Sequence, residues 1–336
     1  MIERASEPPS GEDRLIARYF RPLATHPGAR GLIDDAATFT PPAGADLVLT
    51  TDALVGGVHF FVDDAADTIA KKALRVNLSD LAAKGAAPAG FLLSLALPGT
   101  IGEEWLEAFA RGLGADAQAY GCVLLGGDTV HTTGPVTISI TAFGTLPHGK
   151  MVGRSGAGAG DLVVVTGTIG DAALGLLVRR DSGKAERWQL NHRQRDQLIE
   201  RYLLPQPRNA IAQALQQHAS AAMDVSDGLV GDLRKLCAAS GVAADIEVVR
   251  VPLSDATRTA LASDPALVET ALTGGDDYEV VATVPAPAIA ALKAEAKAAG
   301  VALTEIGVVR ADRPQANFID QAGKPLLFKR PSFSHF

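Results

Sequence analysis

Only two cysteines occur in the 336 residues, Cys122 and Cys237, and they lack the paired spacing of a zinc site or a disulfide framework. Both stand among apolar neighbours and read as buried free thiols. The start, Met1-Ile2-Glu3-Arg4 followed by Pro8-Pro9, has no apolar core of a signal peptide, so a cytoplasmic protein is expected. No apolar run reaches membrane-spanning length. The best, Phe91 to Leu97, is strand-sized, and no membrane partner is expected. The formal charge is −7 without a basic stripe, which argues against nucleic acid. Ordinary nucleotide loops are missing too: there is no G-x-x-x-x-G-K-[ST] and no G-x-G-x-x-G in a strand-to-helix turn. Gly156-Ala157-Gly158-Ala159-Gly160 precedes a strand instead of following one. No G-x-S-x-G elbow exists, and the seven histidines show no H-E-x-x-H spacing.

What the chain does have is a series of short acidic clusters beside Gly, Ser and Thr: Asp34-Asp35, Thr50-Thr51-Asp52, Asn77-Leu78-Ser79-Asp80, Gly126-Gly127-Asp128-Thr129, Asp224-Val225-Ser226-Asp227-Gly228 and Gly274-Gly275-Asp276-Asp277-Tyr278. Most follow an apolar run that reads as a strand. Any one of them is more often a turn former or a helix N-cap. Their repetition points to hard oxygen ligands, the setting that Mg²⁺ selects.

Hydrophobic periodicity predicts a helical start at 12–25, a strand at 46–51 and a helix over 67–84. It then predicts a strand at 91–97, a helix at 102–119, a strand at 122–125 and an alternating strand from Val136 to Ala142. The Gly-rich run Gly149 to Gly160 reads as a linker. Beyond it come a strand at 161–165, a turn into a helix at Gly167 to Gly170, helices at 193–204 and 208–218, and a strand at 221–225 passing at Ser226 into a helix. Strands at 243–249, 278–284 and 303–309 and a helix at 286–299 complete the reading. Strands alternating with helices imply α/β or α+β layering, and the length implies two domains, residues 1–149 and 150–336. Thr51-Asp52-Ala53-Leu54-Val55-Gly56 echoes Ser226-Asp227-Gly228-Leu229-Val230-Gly231, too briefly to separate a common plan from chance.

An acidic protein that handles phosphates does so through metal ions, so the residues point to phosphoryl transfer driven by electrostatics. If the acceptor is itself a phosphate, with a second pKa of about 6, it is already largely ionised near neutral pH and needs no general base. None is assigned. His59, in a loop past Asp52, has no catalytic role on these grounds.

In order and spacing the clusters resemble those of the thiamine-monophosphate kinases, of the aminoimidazole ribonucleotide synthetase-like superfamily. The resemblance runs from about Glu12 to Phe336. It is carried by the acidic clusters together with Leu15 to Phe20, Val58-His59-Phe60, Leu81 to Ala86, Arg154-Ser155-Gly156, Val165-Thr166-Gly167 and His335-Phe336. It implies two domains of that superfamily's fold, an N-terminal ATP- and Mg-binding domain whose sheet pairs in a homodimer and a C-terminal domain that completes the active site. It implies transfer of the ATP γ-phosphoryl group to thiamine monophosphate by direct in-line displacement. Position by position, Asp35, Thr50, Thr51, Asp52, Asp80, Asp128, Asp224 and Asp227 would hold Mg²⁺. Gly127, Asp128, Arg154 and Ser226 would contact ATP, and His59, Asp276 and Phe333 the thiamine phosphate. Whether a monovalent cation also takes part stays open.

Three residues depart from the family's usual pattern: Ile33 for Gly, Asp276 for Glu, and Phe333 for Tyr or Trp. Two other readings stand beside this one: another ATP-dependent synthetase of the superfamily, and a non-catalytic nucleotide-binding protein on the same scaffold. Intact carboxylates speak against the second.

Overall fold

In the computed structural model, residues 11–333 are described; the His335-Phe336 ending lies outside them. The chain divides into two compact units, one made of residues up to Pro42 with Leu49–Asn77 and Pro88–Phe143, the other of Ala43–Val48, Leu78–Ala87 and the chain from Gly144 on.

The expected first helix is short. Helix α1 covers Gly11–Leu15, followed by a π-helical turn at Ile16–Phe20 and a 3₁₀ turn at Arg21–Leu23. Pro22 has no N–H to give and crowds the preceding turn, so a regular α-helix cannot continue through it. Then come β1 (Ala45–Val55), α2 (Ala66–Ala83), β2 (Ala87–Leu97), α3 (Glu103–Ala119), β3 (Val123–His131) and β4 (Thr137–Pro147). The four strands form one sheet in the order β1-β4-β2-β3, with β2 and β3 parallel. Strands β1 and β3 run past the predicted ends at 51 and 125, so Asp52 and Gly126 to Thr129 lie inside strands instead of on the turns after them. Helix α2 follows its periodicity: Ile69, Ala73, Leu74, Leu78, Leu81 and Ala82 are all buried.

The second unit is built on a six-stranded sheet, β5 (Leu162–Thr166), β6 (Ala221–Val225), β7 (Ala243–Glu247), β8 (Glu279–Val284), β9 (Leu303–Arg310) and β10 (Gln315–Ile319), in the order β10-β7-β9-β5-β8-β6. All pairs are antiparallel except β10 with β7. The helices are α4 (Asp171–Arg180), α5 (Gly183–Arg187), α6 (His192–Leu203), α7 (Ala212–His218), α8 (Leu229–Ser240), α9 (Asp255–Ser263), α10 (Leu267–Thr273) and α11 (Ile289–Ala298). Strand alternation sends Val163, Val165, Met223 and Val281 into a core with Leu229, Leu233 and Leu236 of α8. On the other face Val164, Ala222 and Ala282 meet Leu215 of α7 and Leu292 of α11. Helices therefore cover both faces of this largely antiparallel sheet.

Several expectations change. Helix α8 begins at Leu229, not Ser226, because Gly228 sits at φ 114°, outside the helical region. The echo between the halves is not structural, since Thr51 to Val55 lie in β1 while Leu229 to Gly231 open α8. The Gly-rich run at 149–160 is tied into the second unit by backbone hydrogen bonds Val152 N to Lys84 O, Ala222 N to Gly153 O and Gly160 N to Val309 O. The thiols are buried as expected, and burial pushes Cys122 up to about 12 and Cys237 to about 11.

Candidate functional site

In the first unit, a cavity of about 680 Å³ is lined by Asp34, Asp35, Ser94, Gly127, Asp128 and Thr129, over an apolar floor that includes Phe20, Phe39 and Phe143. That volume suits a nucleotide-sized ligand. The parallel pairing of β2 with β3 sets Leu93 opposite Gly127 and Ser94 opposite Asp128, after a register shift between Phe91 and Leu92. Gly127 is dictated by close approach, because a Cβ there would lie 1.8 Å from the Leu93 carbonyl oxygen. Gly127→Ala is expected to lower the melting temperature by several degrees, read by thermal melts.

Asp35 sits in an exposed loop where its backbone N–H donates to Asp34 Oδ1 at 2.9 Å, while Asp34 pairs with Arg30 at 2.9 Å. Ile33 has φ −114°, open to any residue, so the absence of Gly there strains nothing. On β1, alternation places the Thr50 and Asp52 side chains on one face and Thr51 on the other. Thr51 Oγ1 donates to the Ile140 carbonyl at 3.2 Å and accepts from Thr141 Oγ1 at 3.1 Å. The Asp52 N–H is held by Asn77 Oδ1 at 3.1 Å. His59 follows in the loop after β1, with Nδ1 accepting from the Val55 N–H at 2.9 Å.

In the second unit, the end of β6 gathers most of the remaining sequence-predicted residues. Asp224 is 6% exposed on β6, and Ser226 and Asp227 form the turn into α8. The Ser226 carbonyl accepts from the Asp276 N–H at 2.9 Å, and the Asp227 carbonyl from the Phe333 N–H at 3.0 Å. Phe333, 52% exposed, thus stands beside the acidic turn. Asp80 and Arg154 belong to the same neighbourhood, for both act electrostatically on Lys84, as does Asp224.

Sequence reasoning gave Lys84 no role. Its Nζ donates to the Ala222 carbonyl at 2.7 Å, and burial lowers its pKa despite the opposing pull of Asp224 and Asp80. Lys235 was missed as well. It bonds Asp227 at 2.6 Å and Asp232 at 2.8 Å; burial works against its charge, but these two hydrogen bonds keep its pKa above the usual lysine value. Asp277, next to the predicted Asp276, is an anchor. Its buried carboxyl accepts from the N–H groups of Gly170 and Ala172 at the start of α4, and burial raises its pKa well above the carboxylate range. It is flanked by Asp276 at φ 74° and Tyr278 at φ 50°, conformations that cost on the order of 1–3 kcal/mol each and are held by this anchoring. Glu279 then fixes the start of β8 by pairing with Arg201 at 2.8 Å and with Arg208.

Among the described residues, no group of three or more His, Cys, Asp or Glu side chains is close enough to hold a metal ion. The donors present, Asp34, Asp35, Asp128 and Thr129 around the cavity and Asp80, Asp224 and Asp227 in the second unit, are hard oxygens. They fit a magnesium ion, which takes one or two carboxylates and completes its shell with waters and substrate phosphates.

Residues 33–146 match the AIR synthase related protein, N-terminal domain, and residues 158–318 its C-terminal domain. A thiamine-monophosphate kinase of Salmonella typhimurium is 43% identical over 97% of this chain and 98% of its own. The crystal structure of a thiamine-monophosphate kinase from Stenotrophomonas maltophilia superposes with a TM-score of 0.81 at 38% identity, covering 94% of this chain and 96% of that one. The structure described as AaThiL complexed with AMPPCP and TMP gives 0.74 at 31% identity over 92% and 97%.

Proposed function

The chain belongs to the thiamine-monophosphate kinase family, and from that membership we infer that it transfers the γ-phosphoryl group of ATP to thiamine monophosphate, giving thiamine diphosphate. The near full-length likeness carries this reading. Against the rival within the superfamily stands the level of identity, 43% over 97% of the chain to a thiamine-monophosphate kinase.

The transfer is read as a direct in-line displacement. Asp35, Thr50, Thr51, Asp52, Asp80, Asp128, Asp224 and Asp227 would hold Mg²⁺, whose chemistry, when bound, is to neutralise phosphate charge and polarise the transferring group. Gly127, Asp128, Arg154 and Ser226 would meet ATP. Arg154 supplies a fixed positive charge, and the side-chain-free Gly127 lets the backbone approach a phosphate closely. His59, Asp276 and Phe333 would meet thiamine monophosphate, Phe333 through its ring face. The cavity bearing Asp35, Gly127 and Asp128 supports the ATP assignment, and the meeting of Ser226, Asp276 and Phe333 supports that of the second unit.

Domain boundaries at 1–149 and 150–336, a homodimer and a cytoplasmic location belong to the same proposal. Leu47 and Leu49 lie exposed on the edge strand β1, which suits a surface covered by a second copy. No helix among the described residues is long and apolar enough to cross a membrane.

The acceptor is the point to test. Thiamine lacks the acceptor phosphate and should give no turnover where thiamine monophosphate does; phosphorylation of thiamine itself would overturn the reading. The absence of a base has its own test. The acceptor's second pKa, about 6, should set the acidic limb of the rate profile. His59 has a similar unperturbed value, about 6.5, so a non-titrating variant is needed to tell them apart. His59→Gln is expected to raise KM and keep the acidic limb. A fall in kcat of roughly 10²–10⁴-fold would make His59 the base.

A further inference from the structure

Lys72 lies on α2 and is only 2% exposed. A buried ammonium is costly, and a methionine would fill the same space without that desolvation. The Nζ donates to the His59 carbonyl at 3.1 Å. The His59 N–H donates to the Val55 carbonyl at 3.0 Å, and the Val55 N–H donates back to His59 Nδ1 at 2.9 Å. In the same loop, Gly57 N bonds Phe60 O at 2.8 Å and Val58 N bonds Val55 O at 3.0 Å. These bonds hold the backbone of His59 on both sides and tie Nδ1 of its ring to Val55.

We propose that Lys72 is the positioning residue for His59, and that it and Val55 together fix the imidazole as a hydrogen-bond donor through Nε2. Nδ1 accepts from a backbone N–H, so its lone pair is committed and the neutral ring carries its proton on Nε2. A ring in that state offers a donor to a phosphate oxygen and has no accepting nitrogen left to act as a base. If the His59 carbonyl lost Lys72, the loop would keep its sequence but lose one of the contacts that hold the backbone carrying the ring. This deepens the proposed function and rests on it only for what Nε2–H would meet. The tautomer itself does not depend on it.

The test uses full-length enzyme labelled with ¹⁵N-histidine, without substrates, at about pH 8, above the usual histidine titration. Long-range ¹H–¹⁵N correlations report which ring nitrogen carries the proton, and the His59→Gln spectrum assigns the signal. The expected result is a pure Nε2–H state for His59. In Lys72→Met that state should give way to averaged signals. KM for thiamine monophosphate should rise about tenfold, while kcat and KM for ATP change less than about threefold. Lys72→Gln, which keeps an N–H donor, should recover part of the loss. An Nδ1–H or averaged ring in the unmodified enzyme overturns the proposal, and so does a folded Lys72→Met with unchanged tautomer or unchanged KM. If Lys72→Met does not fold, the unmodified enzyme's tautomer and the Lys72→Gln kinetics decide. A correct tautomer in an enzyme that does not use thiamine monophosphate would sink the functional reading and leave the positioning of His59 standing.

Discussion

Asp80→Asn is expected to lower kcat by roughly 10²–10³-fold, the rate equivalent of several kcal/mol of lost charge stabilisation, while the protein still folds. Asp80 is half-buried near the C-terminal end of α2, in the neighbourhood of Asp224, Arg154 and Lys84. Without a metal ion Asp80 and Asp224 repel each other while both attract Lys84, so neutralising Asp80 trades one term against the other and leaves the fold in place. Asp52→Asn should behave alike, because the Asn77 side chain bonds the Asp52 backbone N–H, which the substitution leaves in place. A purely structural role predicts the reverse: a lower melting temperature, with near-normal turnover in whatever protein folds. Thermal melts and turnover on the same samples separate the two outcomes.

Removal of divalent metal is expected to abolish turnover and to weaken ATP binding strongly. Asp34, Asp35 and Asp128 line the cavity proposed for the nucleotide, and the whole chain carries a formal charge of −7. A carboxylate about 4 Å from a phosphate charge costs on the order of 4 kcal/mol at an effective dielectric of about 20. Arg30, the cation beside this loop, is already paired with Asp34. Titration of ATP in excess chelator measures the effect, and tight binding there would remove the role given to the acidic clusters.

Much of the fold was legible because buried elements carry strong periodicity. Val163 to Val165, Ala221 to Met223 and the apolar face of α2 sit where their patterns put them. The C-terminal ends of β1 and β3 were not legible, since Asp52 and Gly126-Gly127-Asp128 have turn chemistry and are kept extended by pairing with neighbouring strands. Helices α9 and α10 were missed as short and weakly apolar, although Ser254, which caps α9 by accepting from the Thr257 N–H, was a readable signal. The acidic clusters drew attention to Asp276, yet nothing in Asp276-Asp277 told that Asp277 is a buried anchor. Lys72, Lys84 and Lys235 were invisible for a related reason. A lysine in a helix reads as solvated surface until the fold shows what its ammonium touches.

The most direct measurement is incubation of the protein with ATP labelled on the γ-phosphate, Mg²⁺ and thiamine monophosphate, followed by separation of the products. The account predicts label on the terminal phosphate of thiamine diphosphate, one for each ADP formed, and none when metal is removed. Release of the label as inorganic phosphate with thiamine monophosphate unchanged would contradict it.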